Sequence, residues 1–129
     1  MDKALELSVP LRKTMLELSV PPRKTARRIS DAANATVVLK GAGTLISAPG
    51  HPLMLNLTGN PGMATGGSGD VLSGMIAAIW SRGIAAADAA ALGVCRHGTN
   101  GDEASWRIGQ TAILARDLAM PPIKVEQEF

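Results

Sequence analysis

The sequence predicts an α/β fold in which a few short strands come first, a glycine-rich anion loop follows and helices complete the chain. Three observations support this. Hydrophobic residues make up 46% of the 129, drawn mainly from Ala, Leu, Ile, Val and Met, with one Phe, two Trp and no Tyr. That mixture suits helices packed on a sheet better than an all-β sandwich, where aromatic and β-branched residues dominate. Short apolar runs bounded by turn residues occupy 36–57, and a glycine-rich segment at 58–70 passes directly into helical periodicity.

The elements follow in order. Residues 4–14 (ALELSVPLRKT) and 15–25 (MLELSVPPRKT) form a direct repeat, identical at nine of eleven positions. An 11-residue period suits a right-handed coiled coil, but Pro10, Pro21 and Pro22 interrupt such a helix in each copy. Residues 1–25 are therefore expected to be a basic, duplicated and poorly ordered arm, with the partial domain spanning 26–129. The stretch from Ala26 to Ala35 ends a helix, and Thr36–Leu39 is a β-branched strand that stops at Lys40-Gly41-Ala42-Gly43. A second strand runs from Thr44 to Ser47, Ala48-Pro49-Gly50 turns the chain, and Leu53–Leu57 reads as a third strand in an antiparallel meander.

Segment 58–70, TGNPGMATGGSGD, is too rich in Gly for a regular element. Val71, Leu72, Met75, Ile76 and Ile79 then recur at helical spacing, with Gly83 as the stop. A second helix is expected from Ala86 to His97, ended by Gly98. A third is expected from Asp102 to Leu118, broken near Gly109 and terminated by Pro121-Pro122, with a frayed tail after Ile123.

Charge and cysteine usage narrow the function classes. The net charge of +2 implies no strong partner, although residues 1–28 hold seven of the thirteen Lys and Arg against three acids. No aromatic residue interleaves those charges to stack on bases, so a solvated arm is preferred to a nucleic-acid or lipid contact. The single cysteine, Cys95, excludes an internal disulfide and agrees with a reducing compartment. Cys95 and His97 have no second pair with which to hold a metal. Neither a transmembrane-length apolar run nor a signal-peptide core is present, so no membrane partner and a cytoplasmic location are expected.

The strongest chemical signal is Gly66-Gly67-Ser68-Gly69-Asp70 immediately before an amphipathic helix. Backbone N–H groups in the first turn of a helix lack partners, and the aligned dipoles make that end positive. Glycines allow the backbone to approach an anion closely, so a phosphate binds there naturally. Asp70 stands where a carboxylate can act as general base on a hydroxyl beside that phosphate. The plainer alternative is that Asp70 only caps the helix, but a cap does not require the four glycines at 62, 66, 67 and 69. Neither a Walker loop nor the dinucleotide fingerprint fits the spacing. Lys40 is a point charge for a phosphate or a solvated strand end. His51 is expected in a loop without chemistry, and His97 in a helix-end packing or capping role. Asp88 and Asp102 are expected as caps or surface carboxylates, Trp80 and Trp106 as packing residues, and Met54 and Met63 as gap fillers.

At residues 59–79, GNPGMATGGSGDVLSGMIAAI resembles the signature segment of NAD(P)H-hydrate dehydratases. Upstream, 37–44 (VVLKGAGT) is similar to a second motif of that family, and His97-Gly98 with Gly101-Asp102 resemble later pairs. The resemblance runs from about Thr36 to about Leu118. It implies a ribokinase-like α/β fold, truncated to its C-terminal half, and an enzyme that uses ADP or ATP with Mg²⁺ to dehydrate hydrated NADH or NADPH. It further implies that Lys40, Gly41, Ala42, Gly43, Thr44 and Gly69 contact the adenine nucleotide. Asp70 would bind the hydrated substrate and act as base, while Gly66, Gly67 and Ser68 form the anion loop. No carboxylate cage for the metal is visible in the sequence.

The family's domain is roughly twice as long as the matching part here. Half a parallel sheet exposes an edge and apolar helix faces, which a second copy or a complementing chain would cover; otherwise the fragment folds poorly. The alternatives are a ribokinase-like small-molecule kinase and a non-catalytic nucleotide-binding remnant.

Overall fold

A computed structural model describes residues 21–119, and these divide into two compact units that meet at Asn56 and Leu57. The first unit begins with helix α1, Pro22–Ala33. Pro22 occupies the first helical turn, where its missing N–H costs nothing and its fixed φ suits the helix. The helix thus starts four residues before the expected boundary at 26. It ends on Asn34 in the left-handed region (φ 47°), with the Ala35 N–H donating back to the Ser30 carbonyl at 3.1 Å. Asn tolerates that conformation better than most residues. Residues 1–20, which hold most of the repeat, and the Pro121-Pro122 stop with the tail lie outside the described residues.

Strands β1 (Val37–Leu39), β2 (Leu45–Ser47) and β3 (Met54–Leu55) form the expected antiparallel meander, in that order. Val38 faces Ile46, and Leu45 faces Leu55. All three β2 residues are buried, because β2 is the central strand. Thr25, Ala26 and Ser30 are the buried residues of α1, small enough to let the helix lie close against β1 and β2. The Arg27 guanidinium donates to the Ala48 carbonyl at 3.0 Å and ties α1 to the turn after β2. That turn carries Pro49 second and Gly50 third (φ 73°), closed by the His51 N–H donating to the Ala48 carbonyl at 3.1 Å. This is the residue pattern of a type II turn. β3 is shorter than the sequence predicted; beyond it, the Asn56 N–H continues the pairing, donating to the Thr44 carbonyl at 2.8 Å.

The second unit is helical. A short 3₁₀ turn, Pro61–Met63, interrupts the glycine-rich segment that was expected to lack regular structure. Helix α2 spans Ser68–Trp80, and Gly83 (φ 86°) closes it as expected. Helix α3 is one continuous element, Ala86–Ile108, running through the stop expected at Gly98. Its buried side is built from Ala87, Ala89, Ala90, Gly93, Val94, His97, Gly98, Asn100, Gly101 and Ala104. Gly93 lies against Ile76 so closely that a Cβ there would come within 3.3 Å of the Ile76 Cα, which brings α2 and α3 into backbone contact. The expected break at Gly109 (φ 79°) is present.

A 3₁₀ turn, Gln110–Ala112, leads to the short helix α4, Ala115–Ala119. The Asp117 carboxylate accepts the Leu114 N–H at 2.8 Å at the start of α4. Ala104, Ile113 and Leu118 form the core under α4, with Met63 and Val71 packed against them. Met63 fills space as the sequence suggested. The two tryptophans do not: Trp80 is 59% exposed and Trp106 is 92% exposed, so their expected packing role is corrected. Among the described residues, no helix is long and apolar enough to cross a membrane.

Candidate functional site

The glycine-rich segment is set by backbone geometry that few residues tolerate. Gly67 is the N-cap of α2 and has φ 87°, and a Cβ there would also come within 3.2 Å of the Ala115 Cβ. Any other residue at 67 would be strained and crowded. The Ser68 N–H is taken by the Thr65 carbonyl at 3.2 Å, and the Val71 N–H is the first to bond back, to the Gly67 carbonyl at 3.1 Å. Helix geometry leaves the N–H groups of Gly67, Gly69 and Asp70 without an intrahelical acceptor. Gly66, Gly67 and Asp70 are exposed and Gly69 is half-buried, at a helix end that the aligned peptide dipoles make positive.

Asp70 is exposed and lies in the first turn of α2, three residues past the cap. The N-cap is Gly67 and no side-chain bond caps this helix, so Asp70 is not its N-cap residue. A carboxylate at this position stabilises the turn through the dipole alone and remains available to a ligand.

Helix α3 fixes this segment at both of its ends. The His97 Nε2 stands 3.0 Å from the Ser68 carbonyl oxygen and 3.5 Å from the Ser68 hydroxyl. A carbonyl can only accept, so Nε2 carries the proton and donates to it. His97 is buried in the middle of α3, not at a helix end as expected. Asp102, expected as a cap or surface acid, is half-buried; its carboxylate accepts the Gly59 N–H and the Asn60 side-chain amide, both at 3.0 Å. Asn60 in turn accepts the Gly62 N–H at 3.0 Å, which starts the 3₁₀ turn. Thr58 donates to the Cys95 carbonyl at 3.1 Å.

Two glycines of α3 make room for this approach. A Cβ on Gly98 would collide with Thr58, reaching 2.8 Å from its carbonyl carbon. A Cβ on Gly101 would collide with the Met63 side chain. His97, Gly98, Gly101 and Asp102 fall within about 140° of one helical face at 3.6 residues per turn. That spacing was the signal available in the sequence for the roles of His97 and Asp102, once a single helix is assumed through Gly98.

Lys40, Gly41, Ala42, Gly43 and Thr44 lie in the first unit, in the turn between β1 and β2. Lys40 to Gly43 are exposed, and Gly43 has φ 77°. The Thr44 hydroxyl donates to the Gly41 carbonyl at 3.2 Å and accepts the Gly41 N–H at 3.4 Å. Asp88 is exposed in the first turn of α3, and His51 is exposed at the end of its turn. Cys95 is a free, exposed thiol. Among the described residues, no group of three or more His, Cys, Asp or Glu stands close enough to hold a metal ion.

Comparison with known proteins places this geometry. The family model described as NAD(P)H-hydrate dehydratase matches residues 12–121. A bifunctional NAD(P)H-hydrate repair enzyme from Moorella thermoacetica is 52% identical over 84 residues, covering 65% of this chain and 16% of the relative. An ADP-dependent (S)-NAD(P)H-hydrate dehydratase from Neisseria meningitidis is 40% identical over 94 residues, covering 72% of this chain and 32% of the relative. Among solved structures, the ADP/ATP-dependent NAD(P)H-hydrate dehydratase from Bacillus subtilis, co-crystallised with ATP and Mg²⁺, matches with a TM-score of 0.74 and 30% identity. It covers 80% of this chain and 37% of that one. The chain thus spans well under half the length of each of these proteins.

Proposed function

The chain belongs to the NAD(P)H-hydrate dehydratase family, and from that premise we propose that it carries the nucleotide and phosphoryl site of an enzyme restoring NADH or NADPH from their hydrates at the expense of ADP or ATP. The observation that supports this best is the start of α2, where a glycine N-cap in the left-handed region precedes an exposed first-turn carboxylate, Asp70. Phosphoryl transfer needs positioning and charge stabilisation more than a protein nucleophile, and this element supplies both.

In this reading, Gly66, Gly67 and Ser68 cradle the transferring phosphoryl group, and Gly69 adds a nucleotide contact. Lys40, Gly41, Ala42, Gly43 and Thr44 hold the adenylate portion. Asp70 binds the hydrated substrate and takes the proton from its added hydroxyl as the oxygen attacks the terminal phosphorus. The nucleotide leaves one phosphate shorter. The C–O bond then breaks, inorganic phosphate departs and loss of a ring proton restores the double bond. Mg²⁺ is ordinarily held by nucleotide phosphates with one or two carboxylates, a demand that does not require a dedicated protein cage. Its contribution is to neutralise phosphate charge.

Calorimetry with ADP and ATP tests the nucleotide site, and phosphate release from hydrated NADH tests the reaction. Asp70→Asn is expected to lower turnover by about 10²- to 10⁴-fold, the range for loss of a general base, with ADP affinity nearly unchanged. Full activity in that variant, or loss of its fold, would overturn the assignment. Phosphorylation of a small alcohol by the unaltered protein, without dehydration, would point instead to a kinase of the same fold.

A further inference from the structure

The reading above uses the α2 terminus and leaves the polar face of α3 without a role. That face makes long-range hydrogen bonds to the glycine-rich segment through the Asp102 carboxylate and the His97 ring. Asp102 holds two donors at once, the Gly59 N–H and the Asn60 amide, each at 3.0 Å. Asn60 passes the constraint on through its own carbonyl oxygen to the Gly62 N–H at 3.0 Å. The Met63, Ala64, Thr65 and Ser68 amides then bond one after another to carbonyls just behind them, at Asn60, Pro61, Met63 and Thr65. Hydrogen bonds therefore lead from Asp102 to the first residue of α2, with Gly66 and Gly67 lying inside the last of these turns, between Thr65 and Ser68.

We propose that Asp102 is a positioning residue for the anion loop, acting through the Asn60 side chain to set where the α2 donors point. The proposal rests on the reading of that loop as a phosphate site. A carboxylate suits the task because both of its oxygens only accept, and both facing groups only donate. Asp102 itself touches neither the donors of Gly67, Gly69 and Asp70 nor the Asp70 carboxylate.

The polarity of this relay can be reversed. Asp102→Asn keeps the shape of the side chain but turns an NH₂ toward a group that is also a donor. Adding Asn60→Asp gives the introduced amide an acceptor and leaves a second oxygen for the Gly62 N–H. The paired variant thus recovers every bond with the charge moved to position 60.

Amide hydrogen exchange on the full chain, with ADP as the ligand probe, tests this. Asp102→Asn should speed exchange at Ser68 and Val71 by about tenfold, corresponding to roughly 1.4 kcal/mol, while Val94 in α3 and Ile46 in β2 keep their rates. ADP affinity should fall by a similar factor, and the paired variant should restore both. Unchanged rates at Ser68 and Val71, equal acceleration throughout α3, or no recovery in the paired variant would each overturn the proposal. Failure of the unaltered protein to bind ADP would instead overturn the phosphate-site reading, and the exchange pattern would still decide whether Asp102 sets the loop.

Discussion

Two glycine turns carry the candidate chemistry, and they are held in different ways. The turn at 40–44 closes on itself: the Thr44 hydroxyl meets Gly41 three residues back, donating to its carbonyl and accepting its N–H. The segment at 58–70 is held from 29 to 43 residues away, by His97 on Ser68 and by Asp102 on Asn60 and Gly59. A locally closed turn can adopt its shape wherever its sequence occurs. A turn pinned from a distant helix has its shape only when that helix is in place, so its geometry depends on residues outside the turn itself.

The largest effect is expected where the distant helix makes room. Gly98→Ala would place a Cβ against the Thr58 backbone, 2.8 Å from its carbonyl carbon, where no rotamer change relieves the contact. Overpacking of this kind costs about 1–3 kcal/mol, and the upper part of that range is expected in urea unfolding. Gly101→Ala meets only the flexible Met63 side chain, so a loss of about 1 kcal/mol is expected. Equal losses in the two variants would show that backbone approach at Gly98 is not what holds the segment.

Removal of the His97 ring comes next. His97→Ala leaves the Ser68 carbonyl its ordinary partner within α2, but a buried ring and its hydrogen bond to that carbonyl are lost. A loss of about 1–2 kcal/mol is expected. ADP affinity should fall with it, because the N-terminus of α2 loses its anchor. An unchanged affinity alongside lost stability would mean that His97 supports the core and not the loop.

The same contrast explains what the sequence revealed. The meander was legible because its runs are β-branched and bounded by Lys40–Gly43 and Pro49-Gly50, signals contained within a few residues. The start of α2 was legible for the same reason, through Gly66–Gly69 and the periodic residues after it. The continuation of α3 was not. A glycine after a helical run reads as a stop, and only the segment packed against Gly98 and Gly101 shows that these two are contact glycines. That packing must offset about 1 kcal/mol of helix propensity at each position. Asp102 was misread for a related cause: its partners, Gly59 and Asn60, are distant in sequence, and an acid near an expected helix start looks like a cap. Trp80 and Trp106 were assigned to packing from their size, and their exposure depends on neighbours that no local pattern specifies.

The smallest effect is expected in the self-contained turn. Thr44→Val keeps the β-branched shape that suits the entry to β2 but removes the hydroxyl that bonds Gly41. Both bonds are long, at 3.2 and 3.4 Å, and water can replace them, so a loss below about 0.5 kcal/mol is expected in urea unfolding. Gly43, with φ 77°, still supplies the bend. ADP affinity separates two roles for Thr44 in this variant. If it only closes the turn, affinity should change little; if its hydroxyl contacts the nucleotide as proposed, affinity should fall by about tenfold, the worth of one good hydrogen bond, without a matching loss of stability. Our expectation is the second result. A large loss of stability would break the comparison itself, because it would show that this turn is also held by more than its own residues.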